Sequence, residues 1–95
     1  MSKREAYEKK LQAQLDEWRA DLDKLKARAD AANADARIEY EKEIEKLESQ
    51  REDARQKLAE LREASDDAWD DVRSGAERAW DSLNESIKSA RNRFK

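Results

Sequence analysis

The stretch Ala27-Arg28-Ala29-Asp30-Ala31-Ala32-Asn33-Ala34-Asp35-Ala36 decides how many helices this chain has. Alanine, the strongest helix former, dominates it, and it contains neither Gly nor Pro. A turn at Asn33, with a second turn at Ser65, would divide the chain into three helices of similar length. An unbroken path through the stretch instead leaves a long helix with a thin alanine waist, where partner helices approach closely. Propensity favours the unbroken path. The expectation is a long helix over about residues 2–64, a break at about 64–67, and a shorter helix over about 66–94.

A stripe of side chains runs outward from the waist in both directions. Before it stand Tyr7, Leu11, Leu15, Trp18, Leu22, Leu25, Ala29 and Ala32; after it come Ala36, Tyr40, Ile44, Leu47, Arg51, Ala54, Leu58 and Leu61. The stripe continues through Ser65, Trp69, Val72, Ala76, Trp80, Leu83, Ile87, Ala90 and Phe94. Every step is three or four residues, the spacing of a helix face that packs on another helix. Only Arg51 and Ser65 are polar, and Arg51 reads as a register-setting or snorkelling residue. Acid-to-base neighbours such as Asp21–Lys24, Glu43–Lys46 and Glu52–Arg55 lace the remaining surface and support an exposed helix. The fold class is therefore all-α, a coiled coil or helical bundle.

The steps are not all heptads. Extra fours relax the seam toward an eleven-residue period, which surfaces as a repeat: Ala68-Trp69-Asp70-Asp71-Val72 returns as Ala79-Trp80-Asp81-Ser82-Leu83. A fainter copy is Ala90-Arg91-Asn92-Arg93-Phe94. Helix signals frame the segments. Ser2-Lys3-Arg4-Glu5 has the form of a capping box. Ser65 followed by Asp66, Asp67, Asp70 and Asp71 suits the positive end of a new helix, with Lys88, Arg91, Arg93 and Lys95 at its far end. A rival break is Ser74-Gly75-Ala76-Glu77, which carries the sole glycine.

A long helix covered over half its length by a folded-back short one leaves Leu11, Leu15, Trp18, Leu22 and Leu25 bare. Another copy of the chain must then cover them, so a homo-oligomer is expected, a trimer ahead of a dimer. The packing seam is assigned to Leu11, Leu15, Trp18, Leu22, Leu25, Ile44, Leu47, Leu58, Leu61, Trp69, Val72, Trp80, Leu83, Ile87 and Phe94.

Composition narrows function by exclusion. The chain has 95 residues, enough for one domain, with 47% charged and 37% hydrophobic residues. Its 24 acids nearly balance 21 bases, so it lacks the basic footprint that nucleic acid requires. There is no His and no Cys, which removes the commonest general base and the usual metal ligands. Carboxylate pairs at i, i+4 (Glu39/Glu43, Asp66/Asp70, Asp67/Asp71) lack the Glu-x-x-His partner of di-iron bundles and read as solvated faces. No catalytic, cofactor-binding or metal-binding residues are assigned, and no cofactor or small-molecule substrate is expected. Neither a bilayer-length apolar run nor a signal-peptide core is present. A cytoplasmic protein is the default expectation.

The stretches Glu5–Tyr7 with Leu11, Leu15 and Trp18, then 36–47, then the Ala-Trp…Gly…Ala-Trp segment 64–83, resemble a family of small coiled-coil proteins of cyanobacteria and proteobacteria. That family is described as stress-response or uncharacterised. The resemblance implies a helical fold and no established activity. Asp66 stands where similar sequences often have glycine. The eleven-residue repeat is also similar to desiccation-protective and apolipoprotein helices, which by analogy gives a second reading. Under it, the face carrying Trp69, Trp80 and Phe94 lies on a lipid surface or a client instead of filling a core, although its four leading aspartates are not the basic face of an interfacial helix. A third reading is an adaptor that grips another protein by coiled-coil pairing. The leading expectation is a non-enzymatic, self-associating structural protein.

Overall fold

A computed structural model describes residues 2–94, and all of its regular structure is helical. Helix α1 covers Lys3–Ala31, α2 covers Ala34–Glu63 and α3 covers Asp66–Arg93. Their lengths are 29, 30 and 28 residues. They stack side by side into a rod of 51 × 21 × 19 Å.

The long helix expected over residues 2–64 is thus two helices, and the hairpin it implied is a three-helix bundle. Ala32 and Asn33 leave helical geometry, with ψ of 157° and 169°. Two local bonds hold the break. The Asn33 side-chain oxygen accepts the Ala36 amide at 2.9 Å, an N-cap for α2. Arg37, in the first turn of α2, reaches back to donate to the Ala29 and Asp30 carbonyls at 3.1 and 2.9 Å. Alanine's advantage over other residues is at most about 1 kcal/mol per position against glycine. Breaking the helix lets Leu11, Leu15, Trp18, Leu22 and Leu25 bury inside the same chain, each large side chain contributing roughly 1.5–3 kcal/mol. Burial wins over propensity.

Arginine does at these corners what glycine does in many helix C-caps. Arg4 sends its guanidinium across the end of α2, donating to the carbonyls of Leu61 and Arg62 at 3.1 Å and of Ala64 at 2.7 Å. The same group pairs with Glu8 and Asp66, both at 3.1 Å. At the end of α3, Arg28 of α1 donates to the Phe94 carbonyl. Each helix C-terminus therefore meets a cation borne by another helix, which satisfies orphan carbonyls and complements the negative end of the dipole. No described residue needs a positive φ. At the helix starts, Ser2 Oγ accepts the Glu5 amide at 3.1 Å. Ser65 occupies the N-cap of α3 without a side-chain bond, leaving its carbonyl to accept Trp69 N at 2.9 Å.

Side-chain pairs fix the directions. Leu15 O accepts from Arg51 Nε at 3.1 Å and Lys26 pairs with Glu48 at 2.9 Å, so α1 and α2 are antiparallel. Arg93 meets Glu39 at 2.8 Å and Phe94 stacks on Tyr40, so α2 and α3 are antiparallel too. Helices α1 and α3 consequently run parallel. Leu11, Leu15, Trp18, Leu22, Leu25, Ile44, Leu47, Leu58, Leu61, Trp80, Leu83, Ile87 and Phe94 lie in one buried cluster, with Trp69 and Val72 half-buried against it. The requirement that a second copy cover Leu11 to Leu25 disappears with the long helix. Arg51, the polar member of the seam, is half-buried and ties α2 to the α1 backbone.

Gly75, the rival break, sits inside α3, and a Cβ added there would meet nothing within 4 Å. Helical glycine costs about 0.5–1 kcal/mol against alanine. Gly75→Ala is therefore expected to raise the melting temperature by roughly 2–8 °C for a domain of this size. A lowered melting temperature in thermal circular dichroism would show that the glycine serves a contact this packing lacks.

Candidate functional site: the groove between α1 and α3

The backbones of α1 and α3 approach each other far less closely than either approaches α2. Large side chains span the gap. Tyr7 meets Trp69 edge-on with ring centroids 5.7 Å apart, and Trp18 meets Trp80 at 6.0 Å. The eleven-residue repeat explains this layering: it sets Trp69 and Trp80 three turns apart on one face, each opposite an aromatic residue of α1.

In the first layer both rings are hydrogen-bonded, although the Nε of neighbouring Arg73 is buried without a hydrogen-bond partner. Trp69 Nε1 donates to Glu8 at 3.2 Å, and the Tyr7 hydroxyl donates to Glu77 at 3.2 Å. The guanidinium groups of Arg4 and Arg73 lie 5.9 and 5.5 Å from the Trp69 ring centre, within cation–π range. Partial burial, and then the Glu77 carboxylate, push the Tyr7 phenol above its ordinary pKa. The second layer is not tied. Trp80 is 5% exposed and its indole N–H has no hydrogen-bond partner; the same holds for Oε1 of Gln50 on α2.

Two clefts open along the groove. One, of about 290 Å³, has Leu11, Trp18 and Trp80 at its base and Lys10, Gln14, Glu77, Asp81 and Asn84 around it. The other, of about 220 Å³, has Leu25, Ile87 and Ala90 at its base, with Lys24, Arg28, Asp21 and Arg91 at the rim, where Arg91 pairs with Asp21. Both signs of charge border each cleft. Among the described residues, no three potential ligands gather in a geometry that would hold a metal. The carboxylate pairs Glu39/Glu43 and Asp66/Asp70 behave as helix-surface charges: Glu39 is engaged by Arg93, and Asp66 by Arg4.

The groove offers an apolar base rimmed by charged side chains of both signs. Its apolar base is almost wholly covered, and the sole large hydrophobic side chain exposed among the described residues is Ile38, at 51%. A stable interface needs about 800 Å² per partner with a desolvated core. Ile38 by itself does not make such a core. Sequence reasoning assigned the floor of this groove as helix seam but placed no groove there, because the parallel pairing of α1 and α3 depends on the turn at Asn33. The basic end assigned to α3 comprises Lys88, Arg91 and Arg93; Lys95 lies outside the described residues. Among the described residues, no helix is long and apolar enough to cross a membrane.

No family model matches the chain, and comparison with curated proteins and with solved structures gave no match.

Proposed function

We propose that this is a non-enzymatic helical protein that works by protein–protein association, with itself first, through the same seam that closes its bundle. The observation that carries the reading is the distribution of apolar surface. Apart from Ile38, the large hydrophobic residues described in the three helices are buried or half-buried, and ion pairs such as Glu52–Arg55 and Lys57–Glu60 occupy the outside. Association driven by desolvation therefore has one available surface, the seam, and reaches it by parting helices. The stress-response character and the bacterial cytoplasm belong to this proposal through the family resemblance alone. Of the two assemblies expected, trimer and dimer, the favoured trimer rests on a half-length seam along three long central helices, and α2 and α3 cover that seam within one chain. A dimer takes the trimer's place.

The amphipathic reading keeps one support. Helix α3 segregates its apolar side chains Trp80, Leu83 and Ile87 strongly onto one face, so a parted bundle could lay it on a lipid surface. Light scattering over a range of concentrations, run beside circular dichroism with and without anionic vesicles, separates the two. Helix complete in buffer with a concentration-dependent mass supports self-association. Helix or binding gained only with vesicles transfers the function to the membrane surface.

A further inference from the structure

We infer that the Ala32–Asn33 junction is a hinge through which two copies of this chain exchange α1, each opening into a continuous α1–α2 helix. The inference rests on the self-association reading and names its mechanism. Four observations converge on it.

The first is backbone geometry. At Ala32 and Asn33 φ is −82° and −69°, already in the helical range, and only ψ, at 157° and 169°, departs from it. Two ψ rotations convert the turn into helix. The second is composition. Ala29, Ala31, Ala32, Ala34 and Ala36 surround the junction, and no Gly or Pro opposes a continuous helix.

The third is register. Leu25, Ala29, Ala32, Ala36, Tyr40 and Ile44 keep three- and four-residue steps across the junction, so the opened helix keeps its seam on one side. The fourth is the asymmetry between the two corners. At Ala64–Ser65, Arg4 of a different helix holds three carbonyls and Asp66. At Ala32–Asn33 the clamp is Arg37, which holds two carbonyls and sits one turn beyond the junction on the same helix. Opening there releases that clamp and the Asn33 cap, and returns main-chain helix bonds in their place.

In the exchanged dimer, α1 of one copy lies on α2 and α3 of the other. Apart from the Arg37 clamp, the contacts of α1 are remade between chains, including Trp18 on Trp80, Arg51 on the Leu15 carbonyl and Arg4 on the end of α2. The assembly has two-fold symmetry, with two long antiparallel helices and a three-helix bundle at each end. The partner is a second copy, because this chain carries the complementary seam of α2 and α3 in register with its own α1. Since the seam residues of α1 are buried in the closed form, exchange requires α1 to leave its bundle, and the dimer should therefore form on refolding at high concentration and persist on dilution.

Two substitutions shift the hinge in opposite directions. Asn33→Ala removes the cap of the closed turn and improves the continuous helix, and is expected to raise the dimerisation constant by roughly 30-fold across the two hinges. Ala34→Pro suits the closed turn, because proline is favoured at the first helical position and requires extended backbone before it, as Asn33 has. In a continuous helix the same proline is costly, and the dimer is expected to fall by at least ~100-fold while helicity and melting of the monomer persist. Refolding across a concentration series, followed by size-exclusion chromatography with light scattering, reads both. A second measurement is independent of proline: Lys26→Cys and Glu48→Cys chains, whose native side chains pair at 2.9 Å, are refolded together and treated with a short thiol cross-linker. Cross-linking between the two chains after joint refolding, and none after simple mixing, is the expected result. A dimer that survives Ala34→Pro, or lacks the cross-chain product, overturns exchange and leaves ordinary self-association standing. A wild-type chain that stays monomeric after refolding at every concentration overturns both.

Discussion

Trp80→Ala is expected to lower folding stability by about 3–5 kcal/mol, the range for deleting a large aromatic residue from a packed core. Trp80 is buried at the centre of the bundle, against Trp18 across the α1–α3 gap. Its truncation leaves a cavity that neither helix can close, because α2 already fixes the spacing of both. A domain of this size is stable by only about 5–15 kcal/mol, so the variant falls to the edge of unfolding. Trp80→Phe is the informative companion. The indole N–H is buried with no partner, and an orphaned donor costs roughly 1–3 kcal/mol of desolvation. Phenylalanine removes that cost along with some packing, so its net loss should stay below about 1.5 kcal/mol. Urea melts of the two variants provide the test. Equal, large losses would mean that a buried water or the Gln50 side chain satisfies the indole, since Gln50 carries an unpaired acceptor in the same bundle.

The contrast between Trp80 and Asn33 shows what the sequence makes legible. The seam is readable because helix geometry alone puts residues three and four apart on one face, whatever the number of helices. Leu47, Leu58, Leu61, Leu83 and Ile87, assigned to the seam from spacing alone, are all buried. The turn at Asn33 is a different kind of object. Its signals are present: a cap residue, Asp35 in the turn that follows and Arg28 in the turn that precedes. Each is worth about a kilocalorie or less, comparable to the helix propensity that opposes it. What decides the contest is the burial of Leu11 to Ala29 against α2 and α3, a tertiary gain that no ten-residue window contains. The near-equal spacing of Ser2, Asn33 and Ser65 along the chain is the one sequence feature that points to three matched helices. The groove between α1 and α3 was hidden for the same reason, because the two helices become neighbours only once the chain has turned twice.

Arg4 carries the second large effect. Arg4→Ala should cost about 2–3 kcal/mol, or on the order of 10–20 °C in melting temperature. One planar guanidinium donates to the carbonyls of Leu61, Arg62 and Ala64, pairs with Glu8 and Asp66, and lies beside the Trp69 ring. Exposed carbonyls recover water when the cation goes, which is why the cost is well below the sum of the separate bonds. Glu8 recovers less, because its side chain is only 14% exposed, and Trp69 Nε1 depends on it. Arg4→Lys isolates geometry from charge. An ammonium group keeps the attraction to the end of α2 but cannot present a rigid fork to several carbonyls at once, so lysine should recover less than half of the lost stability. Full recovery by lysine would reduce the clamp to a simple charge–dipole effect. The Ala64–Ser65 corner would then lose its advantage over Ala32–Asn33, and exchange of α3 would become as accessible as exchange of α1.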